Sequence, residues 1–201
     1  MMRKLFGMMF VLTILSVMGA IAADNYKVDN SKSTVEWLGK KIGGEHNGTV
    51  GIQQGNLTIE SNILKGGEVI IDMTSIKNKD ITDAETNAKL IGHLKSDDFF
   101  SVEKFKTAKL VILSAKPIKG AAKGSPNYDI TANLTIKGIT NKITFKAIVT
   151  VSQTTFTGWA NITIDRSKYD VRYGSGSFFD NLGDKVIKDE IEFKVNLVAK
   201  K

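Results

Sequence analysis

The chain has no cysteine. That excludes a disulfide framework, a thiolate metal site, a cysteine nucleophile and a lipid-modified cysteine behind a leader. A chain of 201 residues can still bury one core without covalent staples. Proline is almost as scarce. Pro117 and Pro126 both fall in turn-like stretches, and no shift in composition divides the chain into two domains. The histidines are His46 and His93, far apart and without a second ligand at metal spacing, so neither a metal nor a cofactor is read. Arginine is rare too: beyond Arg3 the chain has only Arg166 and Arg172, and every other cation is lysine.

What is present begins with a basic, apolar and then small-residue segment. Arg3 and Lys4 precede an apolar run over residues 5–18, and Ala20-Ile21-Ala22 supplies small residues for a cut. This is the pattern of a secretory signal peptide, expected over residues 1–23, with a mature domain over 24–201 that is periplasmic or secreted. No second apolar run of about 20 residues follows, so no integral membrane segment is expected after removal of the leader. Net charge is +7, and +5 without Arg3 and Lys4. The lysines are scattered, which fits a solvated surface and, with export, argues against nucleic acid.

The mature chain reads as strands interrupted by one helix. Apolar residues alternate in Val35/Trp37, Val69/Ile71/Met73, Ile130/Ala132/Leu134, Phe145/Ala147/Val149, Phe156/Gly158/Ala160/Ile162 and Ile191/Phe193/Val195/Leu197. Residues 50–59 read as a hairpin through Gln53-Gln54-Gly55-Asn56. Thr82 with Glu85 forms a capping box, and Ala88, Ile91 and Leu94 give the helix over residues 82–95 an apolar face that should lie on the end of the barrel. The fold class expected is mainly β: an antiparallel barrel of about eight strands with one short α-helix that could plug or lid it. Closure hides the strand edges; a two-sheet sandwich is the competing architecture.

Four stretches in order carry a family resemblance: Gly44-Glu45-His46-Asn47-Gly48-Thr49, Gly92-His93-Leu94-Lys95-Ser96-Asp97-Asp98-Phe99-Phe100, Leu134-Thr135-Ile136-Lys137-Gly138-Ile139-Thr140 and Asp165-Arg166-Ser167. The chain resembles the YceI-like family across nearly all of its mature length. The resemblance implies an elongated antiparallel β-barrel of about eight strands, lipocalin-like, with one short α-helix near an end; it also implies export, and a polyisoprenoid or other amphiphilic lipid held in an interior tunnel.

The candidate site follows from the alternation. Trp37, Phe99, Phe100, Phe145, Phe156 and Ile162 would line a hollow barrel, or form the core of a filled one. Ala132, Ala147 and Ala160, like Gly158, are small where a filled barrel wants bulk, which points to a channel for an acyl or prenyl chain. His46 either braces a loop or meets the ligand. Arg166 and Arg172 either clamp an anionic head group or fork to nearby aspartates; Arg166, at the end of a strand, is the better clamp candidate. Gly174-Ser175-Gly176-Ser177 lacks both the strand–Ser–helix elbow of a hydrolase and the βαβ setting of a dinucleotide loop. No nucleophile or acid–base pair assembles, so no catalytic residue is named. An enzyme acting on lipid in the same cavity is the rival. The partner expected is an isoprenoid or fatty-acyl lipid, and a homodimer is compatible with this reading.

Overall fold

A computed structural model describes residues 23–201. The leader expected over residues 1–23 lies, but for Ala23, outside them. Nine strands and one α-helix follow in order: β1 Asp24–Val28, β2 Thr34–Lys41, β3 Gly44–Glu60, β4 Ile63–Asn78, α1 Ala84–Lys95, β5 Thr107–Pro117, β6 Tyr128–Ile136, β7 Ile139–Val151, β8 Thr155–Asp165 and β9 Ile187–Lys200. Each strand from β2 onward pairs antiparallel with the next, and β9 returns to β2. Eight strands therefore close a barrel with no free edge. The short β1 lies between β3 and β9, below the start of β2. A turn joins the two: Asp29 N–H donates to Val198 O at 2.8 Å, and Val198 N–H donates to Ser33 Oγ at 3.0 Å. β1 and β2 thus act as one strand broken by a turn.

Two local expectations are corrected. Residues 50–59 are not a hairpin but the middle of β3, which runs unbroken for 17 residues. Its register against β4 slips between Ile52 and Gln54, so Gln53 and Gln54 both point outward and Leu57 and Ile59 stay inside. The extra residue is a bulge, which bends a long strand without ending it. Gly55 is there for close approach rather than for a turn, since a Cβ on it would meet Val28 Cγ2 at 2.7 Å. The helix is capped by Asp83, whose carboxylate accepts the Thr86 N–H at 2.8 Å, and not by a Thr82–Glu85 box. Aspartate is the stronger cap residue and its charge also suits the positive helix end.

The helix joins β4 to β5 and lies on the end of the barrel where Lys41, Asn78, Thr107 and Asp165 also sit. Leu90, Ile91 and Leu94 turn inward, but Ala88 is exposed. The opposite end is solid. Tyr26, Leu57, Ile59, Leu64, Phe156 and Ala199 are all at most 2% exposed there, and the Tyr26 hydroxyl donates to Ser152 O at 2.8 Å.

Candidate functional site

Above that floor the barrel is hollow. Inward-facing Ile112, Leu134, Phe145, Ile191, Phe193 and Val195 pack on the core yet remain only partly buried, because their tips face a cavity rather than other side chains. The cavity has a volume of about 280 Å³, and its wall is almost wholly apolar. All the strands of the barrel contribute to it, and Leu90, Leu94, Phe99 and Phe100 reach it from the helix and the turn that follows.

Of the residues singled out from sequence, Trp37, His46, Phe99, Phe100, Phe145, Ala147, Phe156, Ala160, Ile162 and Arg166 touch the cavity. Ala132 does not. It is fully buried between Ile112 on β5 and Ile143 on β7, its register partners, and these larger side chains reach the cavity past it. Ala147 and Ala160 face each other across β7 and β8 on the wall itself. Gly158 is small for another reason: a Cβ there would lie 2.9 Å from the ring of Phe156.

Arg172 is also off the wall. It is exposed, pairs with Asp170 and lies over the Phe178 ring at 5.0 Å. Arg166 is at the cavity but is not a free clamp. Its guanidinium, 1% exposed, donates to Val171 O at 2.9 Å, Lys188 O at 3.1 Å and Ile187 O at 3.1 Å, and lies 3.3 Å from Asp189. Burial lowers its pKa, and the charges of Asp189 and Asp165 work against that shift. Asp189 in turn accepts from Ser175 Oγ at 2.9 Å and Ser177 Oγ at 2.6 Å. The glycine-serine stretch is therefore a strap held against β9. Ser175 is fully buried and bonded to a carboxylate.

His46 braces the mouth. Its Nδ1 lies 2.8 Å from Asp80, which also accepts from the Asn47 N–H at 2.7 Å and from Asn78 Nδ2 at 2.6 Å. Burial would raise the Asp80 pKa, but these hydrogen bonds outweigh it and hold the carboxyl below its ordinary value. His93 packs edge-on against Phe99 at 4.9 Å and Tyr173 at 4.4 Å, joining the helix to the strap. Among the described residues no three His, Asp or Glu side chains gather as metal ligands would.

The matching family model, YceI-like domain, covers residues 26–199. The chain belongs to the YceI-like family. A UPF0312 protein of Pseudomonas putida (strain W619) is 29% identical over 150 residues, which span 73% of each chain. Among solved structures, BcnA of Burkholderia cenocepacia is 24% identical with a TM-score of 0.61, over 85% of this chain and 98% of that one. A polyisoprenoid binding domain from Saccharophagus degradans, implicated in plant cell wall breakdown, is 17% identical with a TM-score of 0.61, over 87% and 97%. At these identities the likeness is one of fold.

Much of this YceI-like cavity is built by residues that the sequence reasoning did not single out as site residues. Ile191, Phe193, Val195 and Leu197 line it from β9, and their alternation was the available signal. Lys40, Lys41 and Lys188 also touch it. The parity of Lys41 with Trp37 and Gly39 was legible in β2. Nothing in the sequence marked Lys188 or the Asp189 strap contacts.

Proposed function

We propose that this YceI-like protein is exported and sequesters or carries a polyisoprenoid or similar amphiphilic lipid in the barrel cavity, by binding and without catalysis. The observation that carries the reading is the apolar cavity of about 280 Å³ above a solid floor, near the lower end of the range for small-molecule pockets. Each buried CH₂ contributes about 0.8 kcal/mol, so a ten-carbon stretch offers several kcal/mol after ordering costs. The shared fold of the Saccharophagus degradans polyisoprenoid binding domain supports the lipid class. The basic, apolar and small-residue pattern of residues 1–23 supports export to the periplasm or beyond. An intact mass of exported protein that still contains Arg3 and Lys4 would contradict cleavage.

The test of binding uses the wall itself. Ala147 and Ala160 are 6% and 5% exposed and face each other. Ala147→Phe and Ala160→Phe should each fill the cavity at a strain of about 1–3 kcal/mol and abolish uptake of a fluorescent prenyl probe. Mass spectrometry of an organic extract of the wild-type protein should find an unmodified lipid. Undiminished probe binding by folded Phe variants would remove the cavity as the site, and recovery of a processed product would favour an enzyme.

A further inference from the structure

The cavity has fixed limits on every side. Its wall is a barrel in which each strand is hydrogen-bonded to the next, so it cannot widen without breaking a ladder. At the bottom, Leu64 and Phe156 touch it, and each is 2% exposed. Their register partners Ile59 and Ala199 lie behind them, off the cavity, at 1% and 0% exposed. At the top, Leu94, Phe99 and Arg166 reach it. Phe99 is packed against the rings of His93 and Tyr173, and the Arg166 guanidinium is fixed by its carbonyls and Asp189.

Phe156 is placed to close the bore. A Cβ on Gly158, the next inward position of β8, would lie 2.9 Å from Phe156 Cε1 and 3.0 Å from Cζ. The ring therefore lies over Gly158, inside the barrel, in the room that the missing side chain leaves. Leu64 belongs to β4, which is opposite β8 in the order of strands round the barrel. The two side chains enter from opposite sides, and together they end the apolar space.

We propose that this floor limits the chain of the ligand: the cavity takes an amphiphile whose apolar chain has about eleven carbons, a short prenyl chain or a medium-length acyl chain. This rests on the lipid-binding reading above and narrows it. A dry apolar cavity of about 150 Å³ binds one benzene, so a carbon takes about 25 Å³, and the space of about 280 Å³ holds about eleven. Up to that length each added CH₂ leaves water for the wall and raises affinity about fourfold. Beyond it the floor stops the chain, since forcing more atoms into a full site costs stability. The surplus carbons of a longer chain stay at the mouth in water, where they gain nothing.

The experiment keeps one head and varies the chain. Straight-chain carboxylates from hexanoate to octadecanoate are titrated into the full chain by calorimetry, below their micelle concentrations and at constant ionic strength. Affinity should rise about fourfold per carbon and level off at about eleven carbons. Ala147→Leu, a larger side chain on the wall, should bring the break down by about three carbons. Phe156→Ala, which takes the ring out of the floor, should move it up by about two to six. Leu64→Ala, from the opposite side, should shift it the same way and stands in where Phe156→Ala does not fold. Geraniol against decanol, alcohols of equal carbon count, tells a prenyl from an acyl ligand by which binds more tightly. Affinity that climbs without a break to octadecanoate, or a break that stays in place in the folded variants, would overturn the length limit while leaving lipid binding intact. If no carboxylate and neither alcohol binds, the lipid reading fails and this one with it.

Discussion

The two ends of this barrel use the same alternating strands for opposite purposes. At the floor, Leu57 is 0% exposed and Ile59 1%, and Tyr26, Phe156 and Ala199 fill the space between them. Toward the mouth, Leu134, Phe145 and Phe193 point inward by the same rule yet keep surface facing the cavity. The difference comes from what else enters the barrel. At the floor β1 brings Tyr26 and Val28 against β3 and β9. At the mouth the helix and the strap lie across the end without filling it. They are held there by polar contacts: His46 with Asp80, Arg166 with Asp189, and Ser175 and Ser177 with Asp189. A packed end gives the fold its stability, and a propped end keeps a space open.

That contrast can be broken most severely at Arg166. Arg166→Met should cost about 3–5 kcal/mol in chemical denaturation, because it takes the opposite charge away from half-buried Asp189 and the donors away from three carbonyls. A loss below about 1 kcal/mol would mean that the strap does not depend on this contact. Next comes the floor. Leu57→Ala should cost about 2–5 kcal/mol, since its neighbours cannot collapse into the space.

The same chemical change at the mouth sharpens the contrast. Leu134→Ala should cost only about 1 kcal/mol, because the side chain it shortens already borders a cavity. Equal losses for the two leucine variants would show that the hollow region is packed in solution. The smallest effect concerns pH. The Asp80 carboxyl titrates below its ordinary value in the folded state, so its contribution is present above the unfolded pKa, about 4, and is lost as pH falls through the folded value. Asp80→Asn should lower stability near neutral pH by about 1 kcal/mol or less and flatten the acid limb of the stability profile below about pH 4. An unchanged acid limb would move the titration elsewhere.

The sequence was most legible where period two met apolar residues. The faces Val69/Ile71/Met73 and Ile130/Ala132/Leu134 lie inside as their alternation required. It was least legible where one extra residue or one neighbour decides the outcome. The bulge at Gln53 leaves no local signal that separates it from a turn, because only the continuous partner β4 keeps the chain going. Ala132 and Ala147 look alike in sequence; Ala132 is shadowed by Ile112 and Ile143, while Ala147 is not.

The sequence by itself determined a mainly β chain with one helix, which side of most strands faces inward, and membership of the YceI-like family. These follow from local backbone geometry and the fixed alternation of strand side chains. Only the tertiary structure decided that the barrel is solid at one end and hollow at the other, that Arg166 is a brace, and that the register between β2 and β9 breaks at Lys40. Volume and pairing across strands depend on residues far apart in the chain, and no local pattern records which of them will share a space.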